Sequence, residues 1–480
     1  MLFNSLNFAF FLPVIFILYW LVNKQSLRVQ NILLLIASYY FYSCWDYRFL
    51  FLLVFSTLLD YFTGIKMSEA KSIKSKKGWF WLSVIVNLGF LGVFKYYNFF
   101  AQSFVDMFGH FGVHMQLSTI NVILPVGISF YTFHGLSYVI DIYKDRIKPE
   151  RNFIDYSLFV SFFPLLVAGP IERATHLLPQ IKKKRHFDYV KAIDGLRQIL
   201  WGLFKKVVIA DNCAEYANLI FNHSSNYSGS SLVLGALLFT FQIYCDFSGY
   251  SDIAIGTARL LGIELLRNFA FPYFSRDIAE FWRRWHISLS SWFKDYLYIP
   301  LGGSKGGLWM RVRNTFIIFL VSGFWHGANW TFIIWGGLNA LFIMPSIIFK
   351  TNRSNLDIVA KGRLLPSARE LFDIVLTFSL TVLAWIFFRS ASVGQAFQII
   401  GSIFTKDLFK APQASPRPVI LAIIILFMII EWIGREGKYA IENIGMKWTP
   451  VLRWSFYSFI IVCIGMYMET TGSDFIYFQF

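Results

Sequence analysis

Apolar segments long enough to approach a membrane span recur along nearly the whole of this 480-residue chain. A transmembrane helix needs roughly 20 largely apolar residues. The segments lie at residues 7–22, 31–42, 49–65, 80–104, 120–142, 199–221, 231–255, 316–349, 371–388, 419–433 and 455–468. Because residues 316–349 are long enough for a tight pair of helices, we expect about eleven or twelve crossings. The sequence predicts an all-α polytopic membrane protein with one transmembrane domain over residues 1–480.

The composition excludes an ordinary soluble protein. Hydrophobic residues make up 56% of the chain and charged residues 15%, with a mean hydropathy of +0.52. Soluble domains have about a quarter of their residues charged. A chain so poor in charge would not stay dissolved in water, so membrane lipids are its expected surroundings.

The net charge of +16 predicts topology rather than a nucleic-acid partner. The basic residues cluster in short loops between apolar segments, and the positive-inside rule places such loops in the cytoplasm. These loops are residues 66–77, 144–151, 173–191, 276–313 and 350–369. Residues 110–118 and 223–230 contain no Lys or Arg, so we expect them on the outer side.

The apolar stretch 153–170 has basic loops at both ends, so both ends should face the cytoplasm. This predicts a re-entrant segment that ends at Gly169 and Pro170. Irregular backbone inside a membrane is tolerated only where it is buried in protein or lines a cavity.

Residues 276–298 differ from the spans, because apolar and polar residues alternate at three- and four-residue spacing. The pattern predicts one or two amphipathic helices at the cytoplasmic interface. The apolar side contains Ile278, Phe281, Trp282, Trp285, His286, Leu289, Trp292, Phe293 and Tyr296. The other side contains Asp277, Glu280, Arg283, Arg284, Ser288, Ser291 and Asp295.

His326 is the strongest candidate for chemistry, because ionisable residues deep in a membrane are costly. It follows Arg313 by about a dozen mostly apolar residues, which at roughly 1.5 Å each places it well inside the bilayer. Nearby glycines, which let helices or a substrate chain approach closely, are Gly323, Gly327, Gly336 and Gly337. The alternative is a buried histidine bonded to a neighbouring helix, with the glycines serving helix packing alone.

His286 is the second candidate, although a structural histidine fits its pattern equally well. Asp246 and Asp252, with Ser248 and Tyr250 between them, could line a polar cavity or pair with Arg283 or Arg284. His134 lies in another apolar segment. We expect the remaining histidines to be solvated in loops: His110, His114, His176, His186 and His223. The four cysteines show no metal-ligand spacing, so no metal site is predicted.

Eight segments, in this order, resemble the membrane-bound O-acyltransferase (MBOAT) family and its bacterial alginate and peptidoglycan O-acetyltransferase branch. They are MLFNSLNFAFFLPV, PVGISFYTFHGLSYVIDIY, VAGPIER, FKKVVIADN, YCDFSGYSDIAIG, FPYFSRDIAEFWRRWHISLSSWFKDYLYIPLGG, SGFWHGANWTFIIWGGLNA and FIYFQF. In that family the histidine of the WHG element is regarded as catalytic, and it matches His326. A second family position matches His286.

The resemblance implies the MBOAT fold, a ring of tilted helices around a funnel with the histidine at its floor. It implies an O-acyltransferase of class EC 2.3.1, located in the bacterial inner cell membrane, that takes acetyl groups from cytoplasmic acetyl-CoA. The donor is a substrate, and no bound cofactor is expected. The acetyl group would pass toward an exported polysaccharide through a periplasmic or extracellular SGNH-type acetyltransferase. We assign substrate binding to Asp246, Ser248, Tyr250, Trp285, Trp325 and Asn329.

Three other functions stay open at this point. A more distant branch of the family transfers D-alanine to teichoic acids. A non-enzymatic glycan or lipid transporter would use the histidines as proton relays, although no internal repeat is visible in the sequence. The third alternative is an assembly scaffold.

Overall fold

The computed structural model is helical, and it describes all residues except 24–25, 116, 118, 120–124, 168, 469–474 and 477–480. No strand occurs among the described residues, so the all-α prediction is confirmed. The chain divides into two compact units. The first comprises Met1–Tyr189 and Ala258–Leu265, and the second comprises Val190–Thr257 and Leu266–Phe480.

Nine helices lie in the part of the first unit that the structure describes. They are α1 (Leu6–Val22), α2 (Leu27–Ser43), α3 (Tyr47–Glu69), α4 (Ile73–Leu91), α5 (Tyr97–His110), α6 (Ile128–Tyr143), α7 (Phe153–Ser161), α8 (Phe163–Leu166) and α9 (Ala174–Ile181). A π-helical turn at Gly92–Tyr96 joins α4 to α5.

The remaining helices belong largely to the second unit. They are α10 (Tyr189–Leu203), α11 (Asp211–Asn222), α12 (Gly229–Leu260), α13 (Ile278–Arg284), α14 (Ile287–Phe293), α15 (Gly307–His326), α16 (Trp330–Ile348), α17 (Ala368–Arg389), α18 (Val393–Ile403), α19 (Pro418–Ile433) and α20 (Pro450–Tyr467). Polar side chains cap several of them. Ser367 and Glu370, for example, form a capping box at the start of α17.

Six helical segments of the described chain are long and apolar enough to cross a membrane. They are Tyr47–Glu69, Ile73–His110, Gly229–Leu260, Trp330–Ile348, Ala368–Arg389 and Pro450–Tyr467. Leu6–Val22, Val393–Ile403 and Pro418–Ile433 are shorter apolar helices. The protein is therefore a multi-pass membrane protein. The predicted span 120–142 is described only in part, because residues 120–124 lie outside the described residues.

Two of the predicted apolar stretches are not single regular α-helices in the structure. The stretch predicted as re-entrant forms α7 and α8, separated at Phe162. With nine residues, α7 is about 14 Å long, less than half the thickness of a bilayer core. In the predicted span 199–221, the segment Phe204–Ala210 is π-helical and contains Lys205 and Lys206.

The tight pair predicted over residues 316–349 is formed by α15 and α16. The two helices touch through glycines: a Cβ on Gly323 would lie 2.2 Å from the carbonyl oxygen of Phe332, and one on Gly336 would lie 2.2 Å from that of Phe319. Atoms cannot approach so closely. These two glycines therefore serve helix packing, one of the alternatives that the sequence left open.

Candidate active site

His326 is the last residue of α15, and its side chain is only 4% exposed. Gly327 follows it in extended conformation, and α16 begins three residues later at Trp330. His326 thus lies at a sharp reversal between two packed helices.

Aromatic rings enclose this imidazole. Its ring centroid lies 4.8 Å from that of Trp325, 5.1 Å from Trp335 and 5.4 Å from Phe388. Trp335 in turn stacks on Trp385 at 5.6 Å. Such an enclosure is apolar and excludes bulk water, which strengthens any hydrogen bond made inside it.

His286 lies in the same cluster. It separates α13 from α14 and has a left-handed backbone, with φ of 42° and ψ of 55°. Its ring centroid is 6.2 Å from that of Trp325, so Trp325 contacts both histidines. His286 is 1% exposed, and burial lowers its pKa to about 3, so the imidazole is neutral near pH 7.

Trp285 contributes to the wall of this cluster. Its ring lies 5.1 Å from Trp385 and 5.1 Å from Phe269. The predicted interfacial segment is therefore more deeply buried than its pattern indicated. Glu280, placed on the polar side, is 1% exposed and pairs with Arg276 and Arg284.

Asp246 and Asp252 belong to an ion-paired layer on α12. Asp246 pairs with Lys206 at 3.0 Å and accepts a hydrogen bond from the backbone N–H of Ile476. Asp252 pairs with Lys205 at 2.6 Å and accepts a bond from Gln198. The predicted pairing with Arg283 or Arg284 is wrong. Arg283 donates to the carbonyls of Asn352 and Asn355, and Arg284 donates to Glu280.

Ser248 and Tyr250 lie in this same layer. Ser248 accepts a hydrogen bond from Lys205, and the ring of Tyr250 lies under the ammonium of Lys206 at 5.7 Å and against Phe475 at 4.6 Å. A cavity of about 20 Å³ opens beside Lys205, large enough for one water molecule. Its lining includes Asp252, Arg267, Asn268, Glu431 and Ser251.

Asn329 serves a structural purpose in this arrangement. Its side chain accepts a hydrogen bond from the N–H of Thr331 as the cap of α16, and it donates to the carbonyl of Ala391. Asn329 therefore fixes the turn that follows His326.

His134 and His176, in the first unit, are both hydrogen-bonded to Glu172. Nε2 of His134 accepts a hydrogen bond from the backbone N–H of Glu172, whose carboxylate bonds Nδ1 of His176 at 2.7 Å. His176 lies in α9 and is ion-paired, so the prediction of a solvated loop position was wrong for this residue.

The sequence analysis missed several residues of the cluster. The buried residues around His326 include Trp335, Trp385 and Phe388. The high aromatic content of the sequence is the only signal that could have indicated them. Asn268 hydrogen-bonds His286 from 18 residues away. A single Asn in a connecting segment gives no local signal of such a contact.

Comparisons with known proteins agree with this architecture. Residues 144–388 match the model of the membrane-bound O-acyltransferase family. A "probable alginate O-acetylase" of Pseudomonas aeruginosa is 40% identical over 92% of this chain and 82% of its own length. One of Pseudomonas putida is 36% identical over the full length of both chains. A peptidoglycan O-acetyltransferase of Helicobacter pylori is 36% identical over 83% of this chain and 79% of its own.

Proposed function

Because the chain belongs to the membrane-bound O-acyltransferase family, we propose that it moves acetyl groups from cytoplasmic acetyl-CoA toward an exported polysaccharide. It is an O-acetyltransferase related to the alginate and peptidoglycan enzymes. This family membership decides against a non-enzymatic transporter or scaffold. The relatives are bacterial, which supports a location in the inner cell membrane. We also propose that residues 1–480 form one transmembrane domain.

In the proposed reaction His326 is the general base. A thioester is already activated, so the enzyme must align its carbonyl with a hydroxyl group and remove one proton. The hydroxyl oxygen forms the new ester bond as its proton passes to the imidazole of His326. The C–S bond breaks, and the coenzyme A thiolate takes the proton back from the imidazolium. Transient acylation of His326 is the covalent alternative.

The observation that most supports this proposal is that two buried histidines, His286 and His326, both contact the ring of Trp325. Both rings are buried among aromatic side chains in a membrane protein. A buried imidazole does not make membrane insertion more favourable, because ionisable residues inside a membrane are costly. A role in the reaction therefore explains its presence better than packing does.

The names of the relatives support the proposed class of acceptor. These names specify alginate and peptidoglycan. We propose that an SGNH-type acetyltransferase outside the membrane receives the acetyl group and modifies the polymer. Trp285, Trp325 and the α12 layer of Asp246, Ser248 and Tyr250 would border the path of the substrates, with Asn329 holding the turn.

The test is acetyl transfer from labelled acetyl-CoA by membranes normalised for protein level. A general base contributes about 10²- to 10⁴-fold in rate, so His326→Ala should lose detectable transfer. His326→Gln keeps hydrogen-bonding capacity without a basic nitrogen and should be equally inactive. His286→Asn should keep more activity than either, because Asn can still orient a group by hydrogen bonding.

His223→Gln, at an exposed histidine of the second unit, is the matched control and should transfer acetyl groups normally. Near-wild-type turnover of His326→Gln would remove the general-base assignment. Transfer from a D-alanyl donor, with none from acetyl-CoA, would replace the proposed donor by that of the teichoic acid branch.

A further inference from the structure

Asn268 makes the shortest polar side-chain contact to His286 among the described residues, and the hydroxyl of Ser288 lies farther away, at 3.5 Å from Nδ1. Its Oδ1 lies 2.9 Å from Nδ1 of the imidazole, 2.9 Å from the hydroxyl of Ser288 and 3.4 Å from the backbone nitrogen of Ser288. Its Nδ2 donates to the hydroxyl of Ser251 at 3.1 Å. We propose that Asn268 is the positioning residue of His286, holding the imidazole with its proton on Nδ1 and its lone pair on Nε2. This inference rests on the proposed function.

The backbone of Ser288 decides which way the carboxamide of Asn268 is turned. A backbone N–H can only donate, so the Asn268 atom that faces it must be the oxygen. The oxygen in turn can only accept, so Nδ1 of His286 must carry the proton. In a neutral imidazole the other nitrogen is then an acceptor.

That acceptor, Nε2 of His286, is buried and has no hydrogen-bond partner among the described residues. A buried polar group without a hydrogen-bond partner is energetically unfavourable. The lone pair of this nitrogen can therefore accept a hydrogen bond from a substrate group. A hydroxyl group, such as the one that receives an O-acyl group, has the chemistry to donate it.

Asn268 also holds the backbone of His286. Its carbonyl accepts from the N–H of Ile287 at 2.9 Å, and the N–H of Ala270 donates to the carbonyl of Arg284 at 2.9 Å. These bonds clamp residues 268–270 to residues 284–287. His286 has a left-handed backbone conformation, which is strained at a residue other than Gly and persists only where its surroundings enforce it. Phe247, 4.6 Å from the imidazole at 87°, limits rotation of the ring.

The first experiment replaces Asn268 and follows activity against pH. In Asn268→Asp a carboxylate faces Nδ1 and favours the imidazolium, which lacks the free lone pair. An opposite charge at such a distance raises a pKa by about one to three units, so the acid limb of the kcat/KM profile should move to higher pH. Asn268→Leu should lower kcat at least about tenfold without moving the donor KM. An unchanged profile in Asn268→Asp would overturn the proposal.

Asn314→Leu is the matched control. Asn314 is also fully buried, but it donates to the backbone carbonyl of Gly303 instead of facing a histidine. It should lower protein abundance without displacing the pH profile. If Asn314→Leu displaced the pH profile as much as Asn268→Asp does, the displacement would reflect general destabilisation of the fold, and the positioning role of Asn268 would be overturned.

The second experiment needs no activity, so it distinguishes failure of this inference from failure of the proposed function. The pKa of His286 is lowered by burial, so the folded wild-type protein loses stability as pH falls from about 6.5 toward 3, because the unfolded chain takes up the proton first. In Asn268→Asp this loss should be smaller, and Asn268→Asp/His286→Asn should lack the difference. Tm measured from pH 4.5 to 7.5 gives the result, and equal slopes in wild type and Asn268→Asp would refute the positioning role.

Discussion

The ammonium of Lys205 lies 2.6 Å from Oδ2 of Asp252, and both side chains are largely buried. Each residue interrupts an apolar segment, so each alone would be costly inside a membrane. Together they neutralise one another, and Gln198 and Ser248 supply further hydrogen bonds. The charged residues that interrupt the two apolar segments thus form a single buried ion pair.

Removing one partner of this pair should destabilise the protein strongly. Lys205→Met leaves a buried carboxylate uncompensated, which costs about 3–5 kcal/mol. Lys205→Met/Asp252→Leu removes both charges and should recover most of the loss. Thermal unfolding in detergent measures both variants. Lys438→Met, at an exposed lysine beside the same cavity, is the control and should change Tm little. Equal Tm values for the single and double variants would show that the charges are not coupled.

Neighbouring glycines of α16 should respond oppositely to the same change. A Cβ on Gly336 would meet the carbonyl of Phe319 at 2.2 Å, whereas one on Gly337 would meet only Leu320, at 3.8 Å. Gly336→Ala should therefore force α15 and α16 apart, at about 1–3 kcal/mol, and lower both protein abundance and activity. Gly337→Ala should be close to neutral. Abundance in membranes and Tm in detergent separate them, and equal behaviour would contradict the packing contact.

The sequence predicted the features that depend on local pattern. Hydropathy predicted the positions of most helices, and the WHG element indicated His326 as a site residue. Both signals are contained in short stretches of sequence. Contacts between residues far apart in the chain could not be predicted from the sequence. Lys205 and Asp252 are 47 residues apart, and the choice of lysine over Arg283 or Arg284 depends on how α12 packs. The role of Asn268 likewise exists only once two connecting segments are clamped together.

The pair His176–Glu172 should give the protein a pH-dependent stability. The hydrogen bond that Nδ1 of His176 donates to the carboxylate of Glu172 is the main cause that raises the pKa of His176, against the opposing effect of burial. A raised pKa stabilises the fold below the unfolded value of about 6.5, and the benefit is lost as pH rises through the folded value. His176→Gln should therefore have a lower Tm than wild type at pH 5.5 and a smaller deficit at pH 8.5.

The control for this measurement is His186→Gln, at an exposed histidine of the same segment. Its Tm difference from wild type should not change over this pH range. A deficit of His176→Gln that grows with pH would have the wrong sign and would exclude the ion pair as its source.

The re-entrant segment can be tested by labelling, since it requires that both of its ends lie in the cytoplasm. Lys148 and Lys183 are exposed on either side of α7 and α8. Cys44 is the exposed native cysteine, whereas Cys213, Cys245 and Cys463 are buried, so Cys44→Ser provides the background. In it, Lys148→Cys and Lys183→Cys should both react with an impermeant maleimide in inverted vesicles and neither in intact spheroplasts. His223→Cys, in an exposed loop without basic residues, should show the reverse. Because α7 is too short to cross a bilayer core, labelling of one lysine position from outside would require α7 and α8 to cross together as a broken span.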